Sequence, residues 1–141
     1  MNNLKILWIE EEAEDTLVEF NTYFSLSGYT VKVVHSSTEA EEELSSGQHD
    51  LIILDIRIIP GDNEKWLNLH VSGERRLGLI LLKDVISKIE HLKDKTIIFT
   101  NENLSDIRNS LKECNFPTNK FLRKRDAKIP EQLEAFIKKS L

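Results

Sequence analysis

The stretch Asp50-Leu51-Ile52-Ile53-Leu54-Asp55-Ile56 decides the fold of this 141-residue chain. Its run of Leu and Ile without polar alternation predicts a strand that is buried on both faces of a parallel sheet. Such a strand ends at the carboxyl edge of the sheet, which is where open α/β folds bind their ligands. Asp55 is therefore the first candidate for a functional residue, against the simpler interpretation that it only begins the next loop.

Length and composition predict one soluble domain over residues 1–141. The chain is 40% hydrophobic and 30% charged, and no apolar run approaches the length of a membrane span. The first residues lack the pattern of a signal peptide, and Cys114 stands alone, so we expect a cytoplasmic protein without an internal disulfide. The net charge of -5 argues against direct binding of nucleic acid.

Four further segments have strand character, and helical patterns separate them. The predicted strands are residues 5–9, 29–35, 50–56, 96–100 and 120–123. Helices are predicted over residues 15–27, from the capping residues 36–38 to about residue 44, along an apolar stripe at 82, 85, 86 and 89, after a cap at Ser105, and after Pro130. This alternation predicts a parallel sheet with helices on both faces.

Residues 60–76 interrupt the alternation. Pro60-Gly61-Asp62-Asn63 has the composition of a turn, and Trp66 lies in a segment without a clean period. We expect a long loop at the edge that carries Asp55, because loops of this length are often lids or binding segments. Trp66 then either packs as a lid over the site or forms a small satellite core.

Polar residues follow four of the predicted strands. Right-handed crossovers place these strand ends at one edge of the sheet. The residues that meet there are Glu10, Glu11, Glu12, Asp55, Thr100 and Lys124. Clustered carboxylates bind Mg²⁺, a lysine supplies a positive charge for an anion, and a carboxylate can accept a phosphoryl group as a nucleophile.

From Lys5 to about Lys139 the chain resembles the receiver domain of two-component response regulators, the CheY-like family. The matching motifs are Ile6-Leu7-Trp8-Ile9-Glu10-Glu11, Asp50-Leu51-Ile52-Ile53-Leu54-Asp55, Gly78-Leu79-Ile80-Leu81-Leu82, Ile97-Ile98-Phe99-Thr100 and Phe121-Leu122-Arg123-Lys124. Their order and spacing together are specific to this family. The resemblance implies a doubly wound, five-stranded parallel sheet with helices on both faces and the strand order 2-1-3-4-5.

The resemblance also implies a role for each matched position. Asp55 is the expected phosphoacceptor, and Thr100 and Lys124 are expected to contact the phosphoryl oxygens. Phe121 is the expected aromatic switch partner of Thr100. A Mg²⁺ ion is expected on Glu10, Glu11, Asp55 and the backbone carbonyl of Arg57.

Two departures from the family pattern leave alternatives open. The acidic pair is usually Asp-containing, whereas this chain has three successive glutamates, so the metal pair is either Glu10 and Glu11 or Glu11 and Glu12. Arg125 stands where the family has a cis-joined proline after the lysine. A non-proline cis bond costs about 2.5–4 kcal/mol, so either the fold holds that strain or Lys124 is presented by a different backbone path.

The expected function is that of a stand-alone receiver in a phosphorelay, with no output domain in the chain. Its expected partners are a histidine kinase or phosphotransfer protein and a downstream protein target, with no contact to a membrane or to nucleic acid. It is not expected to be an enzyme beyond its own phosphorylation and dephosphorylation. The alternative is a degenerate receiver that acts as a phosphorylation-independent interaction module.

Overall fold

Five parallel strands form the centre of the molecule. The computed structural model describes residues 4–11 and 14–140, with residues 14–16 and 90 described by their backbone alone. Within this part the sheet has the order β2-β1-β3-β4-β5, and every neighbouring pair is parallel. The strands are β1 (Lys5–Ile9), β2 (Thr30–Val34), β3 (Leu51–Leu54), β4 (Thr96–Thr100) and β5 (Phe121–Arg123). The predicted fold class and strand order are confirmed.

Helices cover both faces of this sheet. In the described part they are α1 (Glu14–Leu26), α2 (Ser37–Ser46), α3 (Glu64–Val71), α4 (Leu77–Asp84), α5 (Glu90–Asp94), α6 (Leu104–Glu113) and α7 (Pro130–Ser140). Short 3-10 turns occupy Ile86–Lys88, Thr118–Lys120 and Lys124–Asp126. The capping prediction for α2 is confirmed, because the Ser36 hydroxyl accepts a hydrogen bond from the backbone N–H of Glu39 at 3.1 Å.

Neighbouring residues of each central strand belong to two separate cores, as the period of two in a strand requires. One core joins the sheet to α1 and α7 and includes Trp8, Phe24 and Ile53. The other joins the sheet to α2, α3, α4 and α6 and includes Ile52 and Trp66. The apolar run of β3 is therefore buried on both faces, as its sequence predicts, and Asp55 is held at the carboxyl edge by two packed layers.

The prediction that residues 60–76 form a loop is wrong. This segment contains α3, whose first turn is capped by Asn63, since the Asn63 side chain accepts from the backbone N–H of Lys65 at 2.9 Å. Trp66 is only 1% exposed and donates from Nε1 to Glu41 Oε1 at 2.9 Å. Trp66 thus belongs to the core beside α2 and does not line the cavity at Asp55.

Two helix boundaries also differ from the sequence-based prediction. The stripe from Leu82 to Ile89 is not one helix, because α4 ends at Asp84 and a 3-10 turn and the short α5 follow. The predicted cap at Ser105 is wrong, since Ser105 is the second residue of α6, which begins at Leu104 after the N-cap position Asn103. Across the described residues, none of the helices combines the length and apolar character needed to cross a bilayer.

Candidate functional site at the carboxyl edge

Asp55 follows β3 directly and is almost completely buried, with 5% of its surface exposed. Its Oδ1 accepts from the Thr100 hydroxyl at 2.6 Å and from the backbone N–H of Ile56 at 2.7 Å. Its Oδ2 accepts from Lys124 Nζ at 3.1 Å. A buried carboxylate persists only when it is paired and hydrogen-bonded, and these three donors meet that requirement.

Each of these donors comes from the end of a different strand or from the turn after Asp55. Thr100 is the last residue of β4, which pairs with β3, and it is 1% exposed. Lys124 follows β5 and begins the 3-10 turn Lys124–Asp126. No peptide bond in the described part of the chain is cis, so the backbone path presents Lys124 without the cis bond of the family pattern. The structure therefore brings Asp55, Thr100 and Lys124 together as the sequence predicts.

Glu10 lies on the other side of Lys124. It follows β1, is 1% exposed, and its Oε2 accepts from Lys124 Nζ at 2.7 Å. Burial, followed by the negative charge of Asp55, raises the pKa of Glu10 to about 8. Burial lowers the pKa of Lys124, but the carboxylates of Asp55 and Glu10 outweigh that effect and raise it overall. Lys124 is therefore a buried cation held between two acidic side chains.

A cavity of about 310 Å³ opens at Asp55. It is lined by Glu11, Asp55, Arg57, Thr100, Asn101, Glu102, Asn103 and Asp106. Glu11 is exposed, whereas Glu102 has 7% of its surface exposed. This volume is at the small end of the range for ligand sites, so the cavity suits a small polar group.

Three of the four predicted metal ligands line the cavity, and Glu10 does not. Glu11, Asp55 and Arg57 line the cavity, while Glu10 contacts Lys124. Within residues 4–11 and 14–140, no three acidic, histidine or cysteine side chains are grouped to hold a metal ion. Mg²⁺ keeps several waters and binds to proteins through one or two carboxylates, so Glu11 and Asp55 are a donor set that fits it. Glu12, the alternative ligand, lies outside the described residues.

Glu102 and Arg76 are two residues near the site that the sequence-based prediction does not include. Glu102 accepts from Arg57 Nε and, at 3.1 Å, from Arg76 Nη2. Burial acts to raise the pKa of Glu102, but the bonds from the two arginines outweigh it and lower that pKa overall. The one sequence signal that points to Glu102 is its position two residues after Thr100. That position does not reveal a pairing with Arg57 and Arg76, which lie much earlier in the chain.

Phe121, the predicted switch residue, is the first residue of β5. It is partly buried, packs against the core on the α6 side, and pairs in register with Ile98 of β4. Its predicted role as a switch partner of Thr100 stays a prediction.

Comparison with known proteins identifies the fold. The low-pH crystal structure of Vibrio cholerae chemotaxis protein CheY4 matches with a TM-score of 0.70 at 18% identity, covering 99% of this chain and 100% of that one. The beryllofluoride-activated N-terminal receiver domain of Klebsiella pneumoniae RstA matches with a TM-score of 0.68 at 20% identity, covering 96% and 97%. This chain folds as a response regulator receiver domain. The Francisella response regulator 1452 receiver domain agrees, with a TM-score of 0.65 at 17% identity and coverage of 99% and 100%.

Sequence comparison gives one relative of known role and no family model. The TorCAD operon transcriptional regulatory protein TorR of Escherichia coli strain K12 is 30% identical over 84 residues. The match covers 60% of this chain but only 36% of the length of TorR. No family model matches the chain. The receiver fold thus rests on the structural comparison, and the three successive glutamates and Arg125 are the departures from the family pattern noted above.

Proposed function

We propose that this chain is a phosphoryl-accepting receiver of two-component signalling, with Asp55 as the phosphoacceptor. The observation that carries the proposal is the burial of the Asp55 carboxylate between the Thr100 hydroxyl and the Lys124 ammonium group. In this proposal a nucleophile is in contact with a hydrogen-bond donor and a cation, and Asp55 and Thr100 line the polar cavity. The proposed phosphodonor is a phosphohistidine on a histidine kinase or a phosphotransfer protein.

In the proposed reaction, a carboxylate oxygen of Asp55 attacks the phosphorus atom in line with the bond to the histidine nitrogen. The new O–P bond forms as the P–N bond breaks, and the electron pair of the P–N bond stays on the imidazole, which then takes up a proton. The Lys124 ammonium stabilises the negative charge of the transferred group, and the Thr100 hydroxyl turns from Asp55 to a phosphoryl oxygen. The reaction changes only this chain's own Asp55, so we do not propose enzyme activity towards other substrates.

Mg²⁺ is the proposed cofactor. Glu11, Asp55 and the backbone carbonyl of Arg57 are the proposed ligands, because all three residues line the cavity. When bound, the ion would neutralise charge on the transferring phosphoryl group. Glu10 has the contacts of a residue that holds Lys124, so we assign it that role in preference to direct metal ligation.

The proposed output is a change in protein contacts. A phosphoryl group adds a nearly dianionic charge next to Thr100 and Lys124, and such a charge can shift a two-state surface. We propose a protein target for this surface, without direct contact to nucleic acid or membrane. The name of TorR describes a transcriptional regulatory protein, but the matched part of this chain covers only 36% of it. The proposed compartment is the cytoplasm, where the free thiol of Cys114 stays reduced.

Beryllofluoride, which mimics a phosphoryl group on aspartate, tests the proposal without a kinase. Trp8 is buried between the sheet and α1 in the layer that Glu10 and Lys124 border, so its fluorescence reports on the site. We expect a saturable fluorescence change with beryllofluoride and Mg²⁺ in the wild type and none in Asp55→Asn. The same response in both proteins, or in neither, would instead support the phosphorylation-independent interaction module.

A further inference from the structure

Arg57 is a cation of the Asp55 cavity whose terminal donors are not used by the described protein. Its Nε donates to Glu102 Oε2, and neither Nη1 nor Nη2 makes a hydrogen bond within the described residues. The side chain is 58% exposed and lines the cavity together with Asp55 and Thr100. The carboxylates of Glu102, Asp55 and Glu11 all raise the pKa of the guanidinium, Glu102 most strongly. Among the residues that the structure describes, Arg57 therefore offers two N–H₂ groups without a protein partner in the cavity that Asp55 lines.

Glu102 fixes this arginine to the protein. The Glu102 side chain is 5% exposed, and it also accepts from Arg76 Nη2 at 3.1 Å. A buried carboxylate between two guanidinium groups has little freedom to move, because each planar donor restricts its orientation. Within this cluster two guanidinium charges oppose one carboxylate charge. Glu11, Asp55 and Asp106 also line the cavity, so Arg57 supplies positive charge locally and not through the net charge of the cavity.

The cluster also joins the segment that follows α3 to the site. Arg76 precedes α4 and ends the segment that contains α3. The backbone N–H of Glu102 lies 3.4 Å from the Thr100 hydroxyl, which itself donates to Asp55. A continuous set of contacts therefore runs from Asp55 through Thr100 and Glu102 to Arg76.

We propose that Arg57 binds the phosphoryl oxygens of the anion that enters the Asp55 cavity, and that Glu102 is the positioning residue that holds Arg57 there. The ligand class is a phosphoryl or acyl phosphate anion. This inference rests on the proposed function of Asp55 and adds a cation to Thr100 and Lys124. The guanidinium suits this task because its terminal donors match two phosphoryl oxygens in one plane.

The rate of phosphoryl gain from a small acyl phosphate, followed by intact mass at several Mg²⁺ concentrations, tests this assignment. We expect Arg57→Gln to lower the rate about tenfold or more, since a charge-assisted hydrogen bond to the anion is lost. The rate should recover in part in Arg57→Lys. It should also recover in part when guanidinium is added to Arg57→Ala at a sub-denaturing concentration. Arg75→Gln, which removes an exposed neighbouring arginine, is the matched control and should keep the wild-type rate.

The variant Glu102→Gln distinguishes a role of Glu102 in positioning Arg57 from a simple effect of its negative charge on the cavity. Removing a negative charge from the cavity should speed anion capture if only the net charge matters. The positioning role predicts the opposite, a slower reaction, because Arg57 loses its fixed partner. It also predicts that Arg57→Gln combined with Glu102→Gln is no slower than Arg57→Gln alone.

The outcomes distinguish this inference from the proposed function. If the wild type gains no phosphoryl group at Asp55, the proposed function fails and the role of Arg57 fails with it. If the wild type gains the group and Arg57→Gln does so at the same rate, only the Arg57 assignment is overturned. If Arg57→Gln is slow, guanidinium restores Arg57→Ala, and Glu102→Gln is faster than wild type, the positioning role of Glu102 is overturned.

Discussion

Gly78 is the residue whose substitution tests the architecture of the site most sharply. It is the second residue of α4, and its backbone N–H donates to Ile56 O at 2.8 Å. A Cβ atom at this position would lie 2.2 Å from the Asp55 carbonyl oxygen and 2.7 Å from both Cα and O of Ile56. These neighbours are backbone atoms that follow β3, so they cannot move aside as a flexible side chain would. We therefore expect Gly78→Ala to displace the turn that carries Asp55.

Two effects of opposite sign determine how much Gly78→Ala changes the free energy of unfolding. Alanine is favoured over glycine by at most about 1 kcal/mol here, since that is the value for a helix interior and Gly78 is in the first turn. Overpacking costs about 1–3 kcal/mol, and contact with fixed backbone places this case at the upper end. The expected net result is a free energy of unfolding that is lower by about 2 kcal/mol, whereas helix propensity alone predicts an increase.

Urea unfolding followed by tryptophan fluorescence measures this difference, since Trp8 and Trp66 are each 1% exposed. Ser105→Ala is the matched control, because Ser105 is the exposed second residue of α6. We expect the control to leave the free energy of unfolding within about 0.5 kcal/mol of wild type. Equal or greater stability of Gly78→Ala would refute the close approach of α4 to the Asp55 turn.

Three further changes test other parts of the structure. Because burial raises the pKa of Glu10 from 4.5 to about 8, folding favours its protonated form, and stability should fall as pH rises between these values. In the wild type this fall amounts to at most about 1.4 kcal/mol per pH unit. The free energy of unfolding of Glu10→Gln, measured in urea from pH 5 to 8, should not show it. Equal dependence on pH in the two proteins would contradict the burial of Glu10. Tyr29→Phe should lower the free energy of unfolding by about 1–2 kcal/mol, because the Tyr29 hydroxyl donates to the largely buried Glu134 at 2.8 Å. Trp66→Ala should cost about 3–5 kcal/mol in thermal or urea unfolding if Trp66 is a core residue, and almost nothing if it is a lid.

The strands and the site residues that follow them were predictable because their signals are local. β1, β3 and β4 each contain an unbroken apolar run, and these runs are followed directly by Glu10, Asp55 and Thr100. The topology of a parallel sheet then brings those ends together without further information. Asp55, Thr100 and Lys124 meet as predicted for this reason.

The sequence does not predict α3 because the apolar signal of this helix is weak. Of its residues, only Trp66 is buried, so no stripe of the helical period is present. The cap at Asn63, followed by Glu64 in the first turn, is a helix-start signal that could have revealed it. Turn composition at residues 60–63 outweighed that signal.

Buried charge clusters could not be predicted, because they depend on partners far apart in sequence. Glu102 contacts Arg57 and Arg76, 45 and 26 residues away. Glu134 lies on the α7 helix among apolar neighbours and accepts hydrogen bonds from Tyr23 and Tyr29, more than 100 residues earlier. A single charged residue in a sequence is more often exposed than buried, so its pairing becomes visible only in the folded chain.

Incubation with a small acyl phosphate and Mg²⁺, followed by intact mass, tests the role of Asp55 most directly. The wild type should gain the mass of one phosphoryl group, and Asp55→Asn should gain none while unfolding at a similar urea concentration. Absence of the gain in the wild type, or an equal gain in Asp55→Asn, would contradict the assignment of Asp55 as the phosphoacceptor.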